Sequence, residues 1–281
     1  LAVNSYEDYE QLVGGVETLY KDSAAKVQQY AADAYKTSGM TANEYMTTAT
    51  SYAAALVSSL GGDTEQAAEL SNMAVSDMAD NWNKFGSSAD SVQDAYNGFA
   101  KGQFQLLDNL KLGYGGTKQE MQRLLDDANK LNAAQGKYTD YSIDSFSDII
   151  LAIHDIQTEY DITGTTAKEA STTISGSLSA AKAAWANLVT GVADDNANFG
   201  QLISNFVDSA TTAASNIIPR IEVALDGAAE LIESMVPVIM DELPGLIETV
   251  LPKLAQSALN IVQTLVTGIS TNAAQLIDSA I

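Results

Sequence analysis

The chain is predicted to be all-α, and three observations carry that prediction. Ser/Thr-x-x-Glu patterns stand at Thr41–Glu44, Thr117–Glu120 and Thr166–Glu169. In such a capping box the first hydroxyl accepts from the N–H three residues on, while the glutamate reaches back. Apolar residues recur at spacings of three and four, and no stretch sustains the period-two alternation of a half-buried strand. The composition leans on Ala, Leu, Gln, Ser and Thr, with 4 Pro in 281 residues. Alanine and straight-chain side chains lose little freedom in a helix, so this bias favours helices. The architecture expected is a compact helical bundle followed by long, proline-punctuated amphipathic helices.

Residues 1–37 read as a leading helix with Tyr6, Tyr9, Val13, Val16, Tyr20, Val27, Tyr30 and Ala34 roughly on a three-to-four spacing, weakened at Gly14–Gly15 and ended by Ser38–Gly39. The bundle is placed at residues 38–165. Its first helix opens at the Thr41–Glu44 box and stops near Gly61–Gly62. Asp63 and Gln66 cap the next, which runs to about Lys84. Helices over Ala89–Ala100 and through Phe104, Leu107 and Leu110 follow, then the helix capped by Thr117, then one from Asp144 to Glu159 that Gly164 closes. Residues 166–216 read as a long helix with a glycine break at 191–200, carrying Ala170, Ile174, Leu178, Ala181, Trp185 and Leu188 on one side.

Residues 217–281 carry a different pattern. Seventeen apolar positions from Ile221 to Ala280 recur about every 3.7 residues, near the 3.6 of a straight helix and away from the 3.5 of a left-handed coiled coil. Among them Ile221, Leu225, Ile232, Ile239, Leu246, Val250, Leu254, Ile261, Leu265 and Ile269 form the candidate interaction stripe. Pro237, Pro244 and Pro252 lie within it, and each removes a backbone hydrogen bond. A stripe that keeps phase through three prolines predicts kinked or segmented helices, stacked or packed on a partner's apolar face.

A formal charge of −22 argues against nucleic-acid binding, which needs Lys and Arg to neutralise phosphates. With 0 Cys, thiolate metal sites and thiol catalysis are excluded. No charged segment with an apolar run after it opens the chain, so no signal peptide is read. Starting on Leu1 and stopping on Ile281 within a periodic run, the sequence reads as a fragment of a longer chain.

Asp108–Leu131, DNLKLGYGGTKQEMQRLLDDANKL, is the most distinctive segment. Gly113, Gly115 and Gly116 form a turn that runs into a capped helix with Met121, Leu124, Leu125 and Ala128 on one face. This string resembles the tail tape measure proteins of long-tailed, siphovirus-like bacteriophages and prophages of Gram-positive bacteria. The likeness continues through Ser5–Leu19, Thr41–Thr50, Ser59–Ala67, Ile162–Ser175 and Lys182–Gly200, in one order over most of residues 5–225. It implies a non-enzymatic structural protein of the tail tube lumen that sets tail length during assembly and assists genome ejection. The partners it implies are tail tube protein, tail assembly chaperones, a distal-tail or baseplate protein, and parallel copies of the chain, with transient contact at the host membrane. Members of that family are generally much longer than 281 residues, which fits a fragment.

Other chemistry is weaker. His154 is the single histidine, so His-based triads and multi-His metal sites are impossible within the chain, and its place between Ile153 and Ile156 on a helix predicts a helix-surface or boundary histidine. Glu233–Ser234 and Ala95–Tyr96–Asn97 match two pieces of the lytic transglycosylase pattern, but in the wrong order and without the middle piece. A peptidoglycan hydrolase therefore needs catalytic residues outside this sequence. Leu112–Lys118 lacks the Gly-Lys-Ser/Thr of a phosphate loop. Asp126–Asp127, Asp194–Asp195 and Asp241–Glu242 lack calcium-loop spacing. Trp82 and Trp185 read as packing anchors. No cofactor or metal is expected. Leu254–Ile277 is free of charge over 24 residues but broken by Gln and Asn, so it suits an amphipathic or membrane-active helix better than a span.

Overall fold

The structure, a computed structural model, describes residues 2–194, 197–242 and 252–264. Among these every regular element is helical, as predicted. In order they are α1 (Ala2–Tyr20), α2 (Ala24–Thr37), α3 (Ala42–Ser51), α4 (Ala53–Ser59), α5 (Thr64–Phe85), α6 (Ala89–Phe99), a 3-10 turn at Leu107–Leu110, α7 (Lys118–Ala134), α8 (Phe146–Glu159), α9 (Thr165–Thr172), α10 (Ile174–Gly191) and α11 (Phe199–Glu242). Residues 252–264 are also helical. The chain divides into two units, Leu1–Ile217 and Ile218–Ile281.

Local caps start most helices of the first unit. The Thr41–Glu44 box is reciprocal: Thr41 Oγ1 accepts the Glu44 N–H at 3.1 Å and Glu44 Oε2 accepts the Thr41 N–H at 2.8 Å. Asp63 accepts the Gln66 N–H at 3.0 Å, and α5 ends on Gly86 in the left-handed conformation. At α7 only half of the box forms. Thr117 accepts the Glu120 N–H at 3.2 Å, but the Glu120 carboxylate takes the N–H of Gly115 at 3.0 Å and pairs with Arg123. Gly116 lies so close to the carbonyl of Gln105 that a Cβ there would collide with it. The turn thus needs a residue with no side chain for close backbone approach.

The middle of the first unit is α5, which packs against α1, α2, α3, α4, α6, α8 and α9. One hydrophobic core runs from Val16 to Ile162, so residues 1–37 are not separate from the bundle. Tyr20, Val27 and Ala31 are buried in that core, and the Tyr20 hydroxyl donates to the carbonyl of Ala49 at 3.0 Å. Burial pushes that hydroxyl's pKa up to about 12. The first helix runs through Gly14–Gly15 and breaks instead at the 3-10 turn Lys21–Ser23, where Lys21 has φ 48°. The helix expected from Thr41 to Leu60 is two helices divided at Tyr52.

Two expectations for residues 166–216 differ from the structure. Thr166 does not cap a long helix: α9 starts after Gly164, ends at Thr172, and Thr173 caps α10 by accepting the Gly176 N–H at 3.0 Å. The packed face of α10 is Ser177, Ala180, Ala181, Ala183, Ala184 and Leu188, whereas Ile174, Leu178 and Trp185 are exposed. Small residues win that face because they let α10 approach α1 and α2 closely, which the larger side chains would prevent.

Candidate functional site

Two features of the molecule are candidates: a buried polar cluster in the first unit, and exposed apolar helix faces.

The cluster stands on one side of α5, where Asp77, Asp80 and Asn81 follow the three- and four-residue spacing that puts them on neighbouring turns. Asp77 is 1% exposed and Asp80 2%. His154 of α8 places Nδ1 3.0 Å from both Asp77 oxygens. Gln157, one turn further on α8, donates to the Asp77 carbonyl at 3.1 Å and accepts from Asn81 Nδ2 at 2.8 Å. Asn81 Nδ2 also donates to the Leu110 carbonyl at 2.9 Å. Asp80 accepts the backbone N–H groups of Gly164 at 2.6 Å and Thr166 at 2.8 Å. It therefore caps α9 from another helix, with its negative charge at the positive end of the α9 dipole.

Desolvation dominates at Asp77 and raises its pKa from 3.8 to about 6, against the lowering effect of His154. The hydrogen bond to Asp77 in turn raises the His154 pKa. Asp80 on α5 and Asp155 on α8 also face the pair, and the Tyr96 hydroxyl of α6 lies within its field. His154 is thus a boundary residue by exposure, as expected, but one that holds a buried carboxylate. No sequence signal marks Asp77, because its partner lies 77 residues away. The cluster's visible work is to fasten α5 to α8, α9 and the Leu107–Leu110 turn. Among the described residues no group of three or more His, Cys, Asp or Glu could hold a metal ion.

The apolar stripe belongs mainly to the second unit. All described side chains from Ile218 onward are exposed. Ile221, Leu225 and Ile232 lie on α11, within about 40° of one another at 100° per residue, and Leu225 and Ile232 are each 65% exposed. Leu254 and Ile261 are exposed on the helical residues 252–264, beside Leu259 and Val262. For Ile239 only the α11 backbone is described, and Leu246, Val250, Leu265 and Ile269 lie outside the described residues. The helix α11 continues through Pro237, so that proline does not divide it as the sequence pattern predicted; Pro252 is the first of the helical residues 252–264, and Pro244 lies outside the described residues. No described helix is long and apolar enough to cross a membrane.

The first unit adds exposed apolar groups, among them Trp185, which the sequence pattern assigned to packing. Trp185 is 52% exposed and meets Phe206 of α11 with ring centroids 5.1 Å apart. Ile203 and Val207, four residues apart on α11, are exposed as well. By contrast Trp82 is half-buried against the core, as a packing anchor should be. Glu233 is exposed on α11, while Tyr96 is buried in the core of the first unit. No family model matches this chain, and no curated protein or solved structure matches it either.

Proposed function

We propose that this protein is a tape-measure component of a siphovirus-like phage tail: a helical structural protein that sets tail length during tube assembly and assists genome ejection. The observation that carries the reading is α11, a helix of 44 residues whose described apolar side chains past Ile217 are all exposed. A helix advances about 1.5 Å per residue, so its length is a direct function of residue number, and an uncovered apolar side calls for copies or tube subunits to cover it. The resemblance of residues 5–225 to tape measure proteins supports the same reading. In it the partners are tail tube protein, tail assembly chaperones, a distal-tail or baseplate protein, and parallel copies of this chain. The net charge of −22 suits a protein that leaves the tube ahead of DNA without holding on to it.

In-frame deletion of residues 218–235, five helical turns, keeps the helix in phase. Phage carrying that deletion should make tails shorter by about 27 Å per 18 residues removed, measured by electron microscopy. Tails of unchanged length would reject the ruler role. A second reading, a membrane-active helix, is favoured by Leu254, Leu259, Ile261 and Val262 on residues 252–264, where Lys253 is the one charged residue. Release of dye from anionic liposomes by the protein, together with normal tail length in the deletion phage, would favour it.

A further inference from the structure

A cleft of about 670 Å³ opens on the first unit between α1, the α2–α3 turn, α3, the end of α5 and the start of α6. Its apolar lining includes Leu12, Met40 and Trp82. Its charged lining residues are Asp8, Glu44 and Asp90, and none of the lining residues is Lys, Arg or His. Glu44 is engaged in capping α3, but Asp8 and Asp90 are exposed and form no ion pair or side-chain hydrogen bond among the described residues. A shallower recess beside it shares Asp8 and adds Glu7 and Glu10, so the negative rim continues along α1.

From this we infer that the cleft docks a cationic segment of a partner protein, one in which a Lys or Arg side chain is flanked by apolar residues. The aliphatic stem of such a side chain would lie on Leu12 and Met40, and its charged head would meet the face of Trp82 and the carboxylates of Asp8 and Asp90. Charge complementarity selects this occupant over a second copy of the chain. Each copy carries −22, and like charges brought together at the rim repel. The tape-measure reading is not needed for this inference, which rests on the cleft alone.

The test uses the full chain carrying Trp185→Phe, so that Trp82 is the one remaining indole of the two in the sequence. The probe is a synthetic 12-residue peptide of alternating lysine and leucine, with a glutamate–leucine peptide as its counterpart. The lysine peptide should change Trp82 fluorescence saturably, more weakly as salt rises, and the glutamate peptide should not. Asp8→Asn with Asp90→Asn should weaken the affinity by about tenfold, since each exposed charge pair contributes modestly. Glu222→Gln with Glu230→Gln, which removes the same charge from exposed positions of the second unit, should leave it unchanged. Gln93→Lys, which sets a cation in the cleft itself, should also weaken binding and guards against a folding defect in the first pair. Equal loss in both double variants would mean attraction to net charge alone and would overturn the inference. Absence of a Trp82 change, or undiminished binding to Gln93→Lys, would overturn it equally.

Discussion

Asp77 shows what burial does to a single charge. It lies in the interior with one titratable hydrogen-bond partner, His154, and both pKa values are raised by the fold. The folded state therefore holds protons that the unfolded chain releases. A raised pKa contributes stability that is complete below the unfolded value and lost as pH rises through the folded value. For Asp77 that window runs from 3.8 to about 6, and for His154 it begins at 6.5 and extends upward. The melting temperature should accordingly fall as pH is raised from about 4 to about 8. Relief of the self-repulsion of a −22 chain has the same sign, so the informative quantity is a difference. In the Asp77→Asn/His154→Gln double variant the fall should be shallower over the same interval, by calorimetry or circular dichroism. Identical slopes would deny the pair any part in the pH dependence. At neutral pH, His154→Ala should destabilise by roughly 2–3 kcal/mol, because it leaves a buried carboxylate without its charge-assisted hydrogen bond.

Helix starts divide into those written locally and those written elsewhere. Thr41, Asp63 and Thr117 were legible as caps because donor and acceptor lie three residues apart, and the structure shows each bond. Thr166 carries the same pattern yet caps nothing. Its N–H is taken by Asp80, which lies 86 residues earlier, and its Oγ1 is buried without a hydrogen-bond partner. Glu169, the other half of the box, accepts from Asn83 at 2.8 Å. A tertiary carboxylate thus displaced a local motif, and no local reading could find it. Asp80→Ala should cost roughly 3 kcal/mol, since two N–H groups at a helix N-terminus lose a charged acceptor. Amide exchange at Gly164 and Thr166 should speed up in that variant. Thr166→Val should change stability by less than about 1 kcal/mol, its hydroxyl having no bond to lose. A large loss for Thr166→Val with none for Asp80→Ala would restore the local cap. The face of α10 differs for a related reason: periodicity ranks side chains by hydrophobicity, but close packing against α1, α2 and α9 ranks them by size. Gly176 sits where a Cβ would strike the Glu169 carbonyl, and alanines occupy most of the packed side that follows.

Across the whole molecule, the first unit buries a continuous core and leaves scattered apolar side chains such as Trp185, Ile203 and Val207 exposed, whereas every described apolar side chain of the second unit is exposed. Helical period is readable from sequence alone, and Ile221, Leu225 and Ile232 do share one side of α11. What those side chains meet is not written in the chain. At about 25 cal/mol per Å² of apolar surface removed from water, uncovered isoleucines and leucines favour any association that hides them. The proposal that copies of the chain cover one another leads to a prediction for the full chain. Its weight-average mass by sedimentation equilibrium should rise with concentration at moderate salt, where repulsion between −22 chains is screened. Changing Ile221, Leu225, Ile232 and Leu254 together to Asp should hold it at the 29.6 kDa of a monomer. The control is Ile203→Asp with Val207→Asp, which alters exposed apolar positions of the first unit. If that control alone abolishes association, the first unit and not the stripe is the contact. A wild-type chain that stays monomeric at every concentration and salt would leave cover by a different protein, such as the tail tube subunit, as the one remaining form of the proposal. Normal tails from phage carrying the quadruple Asp variant would then remove that form too, because four charges on a surface that has to be buried in the tube would each need an unpaired carboxylate taken out of water.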